Sequence, residues 1–128
     1  MKLVVLYVAI NALILLVLGV HAMQTRRKLR ISLLDGGNPE MARAMRAHGN
    51  AAEYIPIALI LMVLARLLGG NIIPIHAIGI PLTLGRLIHP FGILNGSLPP
   101  RAVGMVLTWA AIIIGIAVDL WLAFSVPS

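Results

Sequence analysis

The chain contains no cysteine, which excludes disulfides, thiolate metal centres and a cysteine nucleophile. It is also short of acid. Ten lysines and arginines stand against four aspartates and glutamates, leaving a net charge of +6. Charge of either sign is scarce: 11% of the 128 residues, where a soluble domain carries about 25%. That scarcity excludes an ordinary water-facing surface. The four histidines, His21, His48, His76 and His89, fall in no ligand spacing such as His-Glu-x-x-His, so no metal site is expected. What the chain does have is hydrocarbon. Hydrophobic residues make up 60% of it and its mean hydropathy is +1.01. The positive charge sits in short clusters beside apolar runs. Membrane topology, anionic lipid or an anionic ligand therefore explain it better than nucleic acid does.

Four apolar stretches are long enough to cross a bilayer, which needs roughly 20 residues each. They run over about 3–23, 47–68, 72–94 and 102–124. The breaks between them are turn-forming: Asp35-Gly36-Gly37, Gly69-Gly70-Asn71, and Asn95 to Pro100. The expected fold is all-α, a single integral membrane domain of four helices. The first run is longer than a signal-peptide core of about 7–15 residues, and Arg26, Arg27, Lys28 and Arg30 follow it at once. Such a cluster holds that end in the cytoplasm, so the run is expected to be retained as a span. With Arg43, Arg46 and Arg101 also on the loop side of their spans, the positive-inside rule places both termini on the non-cytoplasmic face. Only Lys2 and Arg66 fall at that face.

The second helix should begin before the membrane. Asn38 suits an N-cap, Pro39 the first helical position, and Glu40 the positive dipole end. From there to Leu68 is about 45 Å of helix, more than the hydrocarbon requires. At about 100° per residue, Arg43, Arg46, Asn50 and Glu53 share an arc of about 80°, and His48 points away. Glu53 lies about 9 Å past Ala47, where a bare carboxylate needs a cation or a polar cavity. Arg86 on the third helix is expected at a similar depth, with His89 one turn along the same face. The two helices can thus close a polar pocket, in which Glu53 and Arg86 form either a structural ion pair or part of a ligand site. Pro56 cannot donate to the Ala52 carbonyl, so a kink is expected there. Arg66 and Asp119 should snorkel or pair near the outer boundary. Ala111 and Gly115 read as a packing face.

Glu40, Arg43, Arg46-Ala47-His48-Gly49-Asn50, Glu53-Tyr54 and Pro56 resemble the signature of the MAPEG family, the membrane-associated proteins in eicosanoid and glutathione metabolism. Gly85-Arg86 with His89, and Arg101 with Gly104, Met105 and Thr108, are similar to its third- and fourth-helix patterns, the latter in bacterial members. The likeness spans nearly the whole chain. It implies a homotrimer that binds glutathione between subunits near the cytoplasmic face of a bacterial inner membrane. It also implies transferase or peroxidase chemistry on a lipophilic small-molecule substrate. By the same resemblance Arg26, Arg46, Asn50, Glu53 and His89 bind glutathione. Arg43, His48 and Arg86 support the site, and Arg101 stabilises the thiolate.

Elementary chemistry agrees with those roles. Glutathione carries two carboxylates, and arginine forks bind carboxylates bidentately. Its thiol, with a pKa of about 8.5, needs a cation to ionise at neutral pH. Where eicosanoid-handling relatives carry hydroxyls, this chain has Ile93, Ala102 and Met105, so the thiolate relies on Arg101 and prostaglandin-type isomerisation is not expected. Gly49 stands where some members have an arginine. The alternative is a non-catalytic scaffold of the same fold that binds lipid or glutathione. A proton-coupled exporter fits less well, since the first span contains no acid.

Overall fold

In the computed structural model, which describes residues 1–125, every regular element is a helix. The helices are α1 (Lys2–Leu29), α2 (Pro39–Leu67), α3 (Ile72–Leu94) and α4 (Leu98–Ser125). All four are long and apolar enough to cross a membrane. The loops that separate α1 from α2 and α3 from α4 lie at one end of the bundle, the basic end.

Local chemistry sets the helix limits. Arg30, in the left-handed region at φ 55°, ends α1, so Arg26, Arg27 and Lys28 ride on its last turn and complement the dipole there. The Asn38 side chain accepts from the Glu40 and Met41 amides at 2.9 and 3.2 Å, and Pro39 takes the first helical position of α2. Asn71 caps α3 by accepting from Ile73 at 2.9 Å. Helix α4 opens on Leu98-Pro99-Pro100, because a first turn has no use for the N–H groups that proline lacks. Pro56 lies inside α2, which runs unbroken past it, and α3 likewise contains Pro81 and Pro90.

Between apolar helices in lipid, close contact and hydrogen bonds replace the hydrophobic effect as the source of cohesion. The α3–α4 seam is the most extensive, α2 packs on the other three helices, and α1 reaches only α2 and α3. Small residues permit the approach. A Cβ on Gly85 would fall 2.7 Å from the Gly104 carbonyl, and one on Gly104 would fall 2.5 Å from the His89 Cβ. On α4, Ala111 and Gly115 are buried, and Leu61 fills the space over Gly115.

Polar bonds fasten α1 to α3 away from the basic end. The Tyr7 hydroxyl lies 2.8 Å from His76 Nδ1. Asn11 Nδ2 donates to the Tyr7 carbonyl and to Thr83 Oγ1 at 2.9 and 3.0 Å. Of the two arrangements expected for Arg66 and Asp119, snorkelling or pairing, the pair does not form. Arg66 instead donates to the Gly70 carbonyl at 3.0 Å, four residues on. That carbonyl lies at the turn just beyond α2 and is the nearer acceptor. Neither Asp119 oxygen has a partner among the described residues.

Candidate functional site

Two adjoining cavities open at the basic end. One, of about 360 Å³, is lined by Arg43, Arg46 and Arg101 together with Gly92 and Gly96. The other, of about 500 Å³, is lined by Arg46, Asn50, His89 and Arg101, with Ala102, Met105, Val106 and Trp109 as its apolar α4 wall. They adjoin because Arg46, Ile93, Leu98 and Arg101 line both. Each is within the range of small-molecule sites, about 300–1,000 Å³. Among the described residues, no acidic side chain lines either one.

Three helices bring these groups together. Arg43, Arg46 and Asn50 descend one face of α2, as the helical spacing predicts. Arg46 forks onto Glu53, seven residues along, with Nη1–Oε1 and Nη2–Oε2 distances of 3.1 and 2.8 Å. Both side chains remain about half exposed, at 52% and 53%. Arg43 lies over the α3–α4 turn, where Gly96 at φ 66° leaves room for its guanidinium. On α4, Arg101 is exposed, and its backbone rests on Gly92, where a Cβ would come within 2.4 Å of the Arg101 nitrogen. That glycine sets where Arg101 stands.

The expected joining of Glu53 to Arg86 is not found. Arg46 reaches Glu53 along the same helix, and the register of α2 turns Asn50 toward Arg86. The Arg86 side chain is fully buried. Its Nη1 donates to Asn50 Oδ1 at 2.7 Å and its Nη2 to Thr108 Oγ1 at 2.6 Å. The guanidinium carbon also lies 5.8 Å from the Tyr54 ring centroid, within cation–π range. Burying a charge in this way costs several kcal/mol unless its donors are satisfied; Asn50, Thr108 and the Tyr54 ring share that task, while Nε has no partner among the described residues. His89 is buried against Gly104 and lines the larger cavity.

Four candidates line neither cavity: Arg86 behind the larger one, Glu53 on the Arg46 fork, Arg26 and His48. Arg26 donates to the Leu34 and Ile31 carbonyls at 2.9 and 3.3 Å and approaches Met45 Sδ at 3.4 Å. It lines neither cavity. His48 faces α1 at Gly19 and borders a separate apolar groove there. Sequence reasoning gave no role to Gly92 and placed Thr108 only within the fourth-helix pattern, and it expected Trp109 to face lipid or the interface, where its exposed ring also lines the larger cavity. Gly85 and Gly92 do carry a signal, since seven residues, two helical turns, put both on one face.

The family model of the MAPEG family matches residues 4–121. The chain belongs to the MAPEG family. It is also 37% identical over 116 residues, 91% of this chain and 88% of the relative, to the inner membrane protein YecN of Escherichia coli strain K12. The YecN protein of Escherichia coli O6:H1 strain CFT073 matches to the same extent. Membership accounts for the four apolar helices. Within that MAPEG frame, the arrangement at the basic end can do two things: bind an anion with several guanidinium groups, and hold it beside an apolar wall on α4.

Proposed function

We propose that this protein is a membrane-embedded, glutathione-dependent transferase or peroxidase of the bacterial inner membrane, with its site near the cytoplasmic face. The observation that carries the reading is the convergence of Arg43, Arg46 and Arg101 on two joined cavities without an acid in their lining. Glutathione presents what such a place selects: two carboxylates for arginine forks and a thiol that ionises beside a cation. Arg101 stands where the arginine-rich cavity meets the apolar one, so it is the cation assigned to the sulfur. Arg43 and Arg46 take the carboxylates, Asn50 and His89 flank the peptide, and Glu53 accepts from the ammonium or continues to hold Arg46. The thiolate then attacks an electrophilic carbon and displaces its leaving group. In the peroxidase case it attacks a hydroperoxide oxygen, the O–O bond breaks and an alcohol leaves. A second glutathione reduces the resulting sulfenate to disulfide and water. The lipophilic partner comes from the bilayer along Ala102, Met105, Val106 and Trp109.

The assembly proposed is a homotrimer. Glu53, paired with Arg46, is half exposed on a face of α2 that hydrocarbon would otherwise touch, and intramembrane charge is found facing protein or a polar cavity. A cyclic ring of copies covers that face with a heterologous interface and brings Arg26 of one copy toward the cavities of the next.

The test is ultraviolet difference absorption of glutathione added to the purified protein, with the oligomer mass measured by native mass spectrometry. A trimer with a thiolate signal supports the proposal. Glutathione binding without that signal favours the non-catalytic scaffold, a reading consistent with the lack of hydroxyls at Ile93, Ala102 and Met105. No glutathione binding at all overturns the proposal and leaves only a lipid-binding scaffold.

A further inference from the structure

Side chains from three helices form one hydrogen-bond chain beneath the larger cavity. On α4, the Thr108 hydroxyl donates to the Gly104 carbonyl at 2.8 Å. Its oxygen is then left to accept, and Arg86 Nη2 donates to it at 2.6 Å. Arg86 Nη1 donates to Asn50 Oδ1 at 2.7 Å. Asn50 Nδ2 ends the chain 3.9 Å from Met105 Sδ. Asn50 and Met105 both line the cavity, whereas Thr108 and Arg86 lie behind it.

The chain runs in one direction only. A guanidinium has five N–H donors and no acceptor. An asparagine amide, by contrast, can turn either its oxygen or its nitrogen to a neighbour. Against Arg86 that choice disappears: the oxygen must face the arginine, so the NH₂ must face the other way. On that side it meets only a thioether sulfur, a weak acceptor, at the long end of contact distance. A good donor therefore stands at the cavity wall with its capacity nearly unused.

We infer that Arg86, braced by Thr108, is a positioning residue that makes Asn50 a one-way hydrogen-bond donor into the cavity. The ligand atom seated at Asn50 is thus an acceptor, a carboxylate or peptide carbonyl oxygen, and not an ammonium or a donating hydroxyl. Together with Arg46 and Arg101, this gives the cavity a donor-lined wall. The identity of the ligand rests on the glutathione reading above, but the direction of the chain does not.

A simpler role is possible for the same bonds: tying three helices together. In that case variants lose stability and binding together. Asn50→Asp separates the two roles because it is isosteric. The carboxylate still accepts from Arg86 and gives this buried cation a formal counter-ion, which strengthens the tie. Its second oxygen, however, replaces the cavity-facing donor with a negative charge. The expected result is a melting midpoint raised by at least about 2 °C. Glutathione affinity should fall about 10- to 150-fold, as for a lost hydrogen bond to a charged group. Thr108→Val removes the brace and should weaken glutathione binding, and Thr108→Ser should restore it. Binding by the Asn50→Asp trimer within about twofold of wild type, or a lowered melting midpoint, overturns the inference. Wild type that fails to bind glutathione refutes the proposed function instead. The ligand-free melting comparison then still decides the direction of the chain: a rise supports it, and a fall refutes it.

Discussion

Removing the Arg101 guanidinium should silence thiolate formation while leaving the bundle intact. The residue suits such a test because its backbone, not its guanidinium, makes the close contact with Gly92. Arg101→Ala therefore leaves the α3–α4 seam as it is and deletes charge alone. A guanidinium about 4 Å from sulfur supplies about 4 kcal/mol at an effective dielectric of 20. Lowering a thiol pKa from about 8.5 to about 6.5 requires about 2.7 kcal/mol, so one arginine suffices. At pH 7 the ionised fraction changes from about three quarters to about 3%, roughly a 25-fold loss of absorbance. The catalytic rate should fall less. A thiolate of lower pKa is a weaker nucleophile, with a Brønsted slope of about 0.4–0.5, which returns close to tenfold. The spectrum is thus the sharper assay. A cation stabilises the ionised form, so the signal is present above the bound pKa and lost as pH falls through it. The half-point should move from about 6.5 in wild type to about 8.5 in Arg101→Ala. Arg101→Lys should lie between them. An unchanged half-point in the alanine variant refutes the assignment.

Three further substitutions probe the frame around the site. Gly92→Ala places a Cβ within 2.4 Å of the Arg101 nitrogen. The expected cost is about 1–3 kcal/mol of stability, read by thermal melting, with loss of the thiolate signal in whatever trimer survives. Gly79→Ala presses on the Tyr7 ring at 2.6 Å, far from the cavities, so it should destabilise comparably while glutathione titration of the folded fraction stays unchanged. Asn38→Ala removes the acceptor for two amides at the start of α2 and should cost about 1 kcal/mol in a melting assay, without altering the pH half-point.

Much of this architecture is readable in one dimension because lipid imposes simple rules. An apolar run of about 20 residues can do little but cross, and Asn38-Pro39 marks a helix start wherever it occurs in such a context. The clustering of Arg43, Arg46 and Asn50 follows from helical spacing within a single element, so it too was legible. Partner choice between elements was not. Depth alone put Arg86 level with Glu53, but depth does not fix rotation about the helix axis, and rotation gave Arg86 to Asn50 and Thr108. Glu53 went to Arg46 because two turns of one helix are within the reach of an arginine. The contribution of Gly92 was hidden for another reason. Its seven-residue spacing from Gly85 marks a shared face, but not which residue that face will meet, and the residue it accommodates, Arg101, belongs to a different helix.

The seam between α3 and α4 has a mechanical corollary. It is closed by missing side chains, since Gly85, Gly92 and Gly104 each admit the opposite helix into space that a methyl group would occupy. Notches of this kind engage at one setting only, and sliding either rod by a residue would drive His89 or Arg101 into solid backbone. The hairpin therefore behaves as a fixed jaw. Any widening that lets a bulky molecule in from the bilayer must come from the opposing side, where α2 supplies Arg46 and Asn50 and meets α4 along a much shorter seam than α3 does.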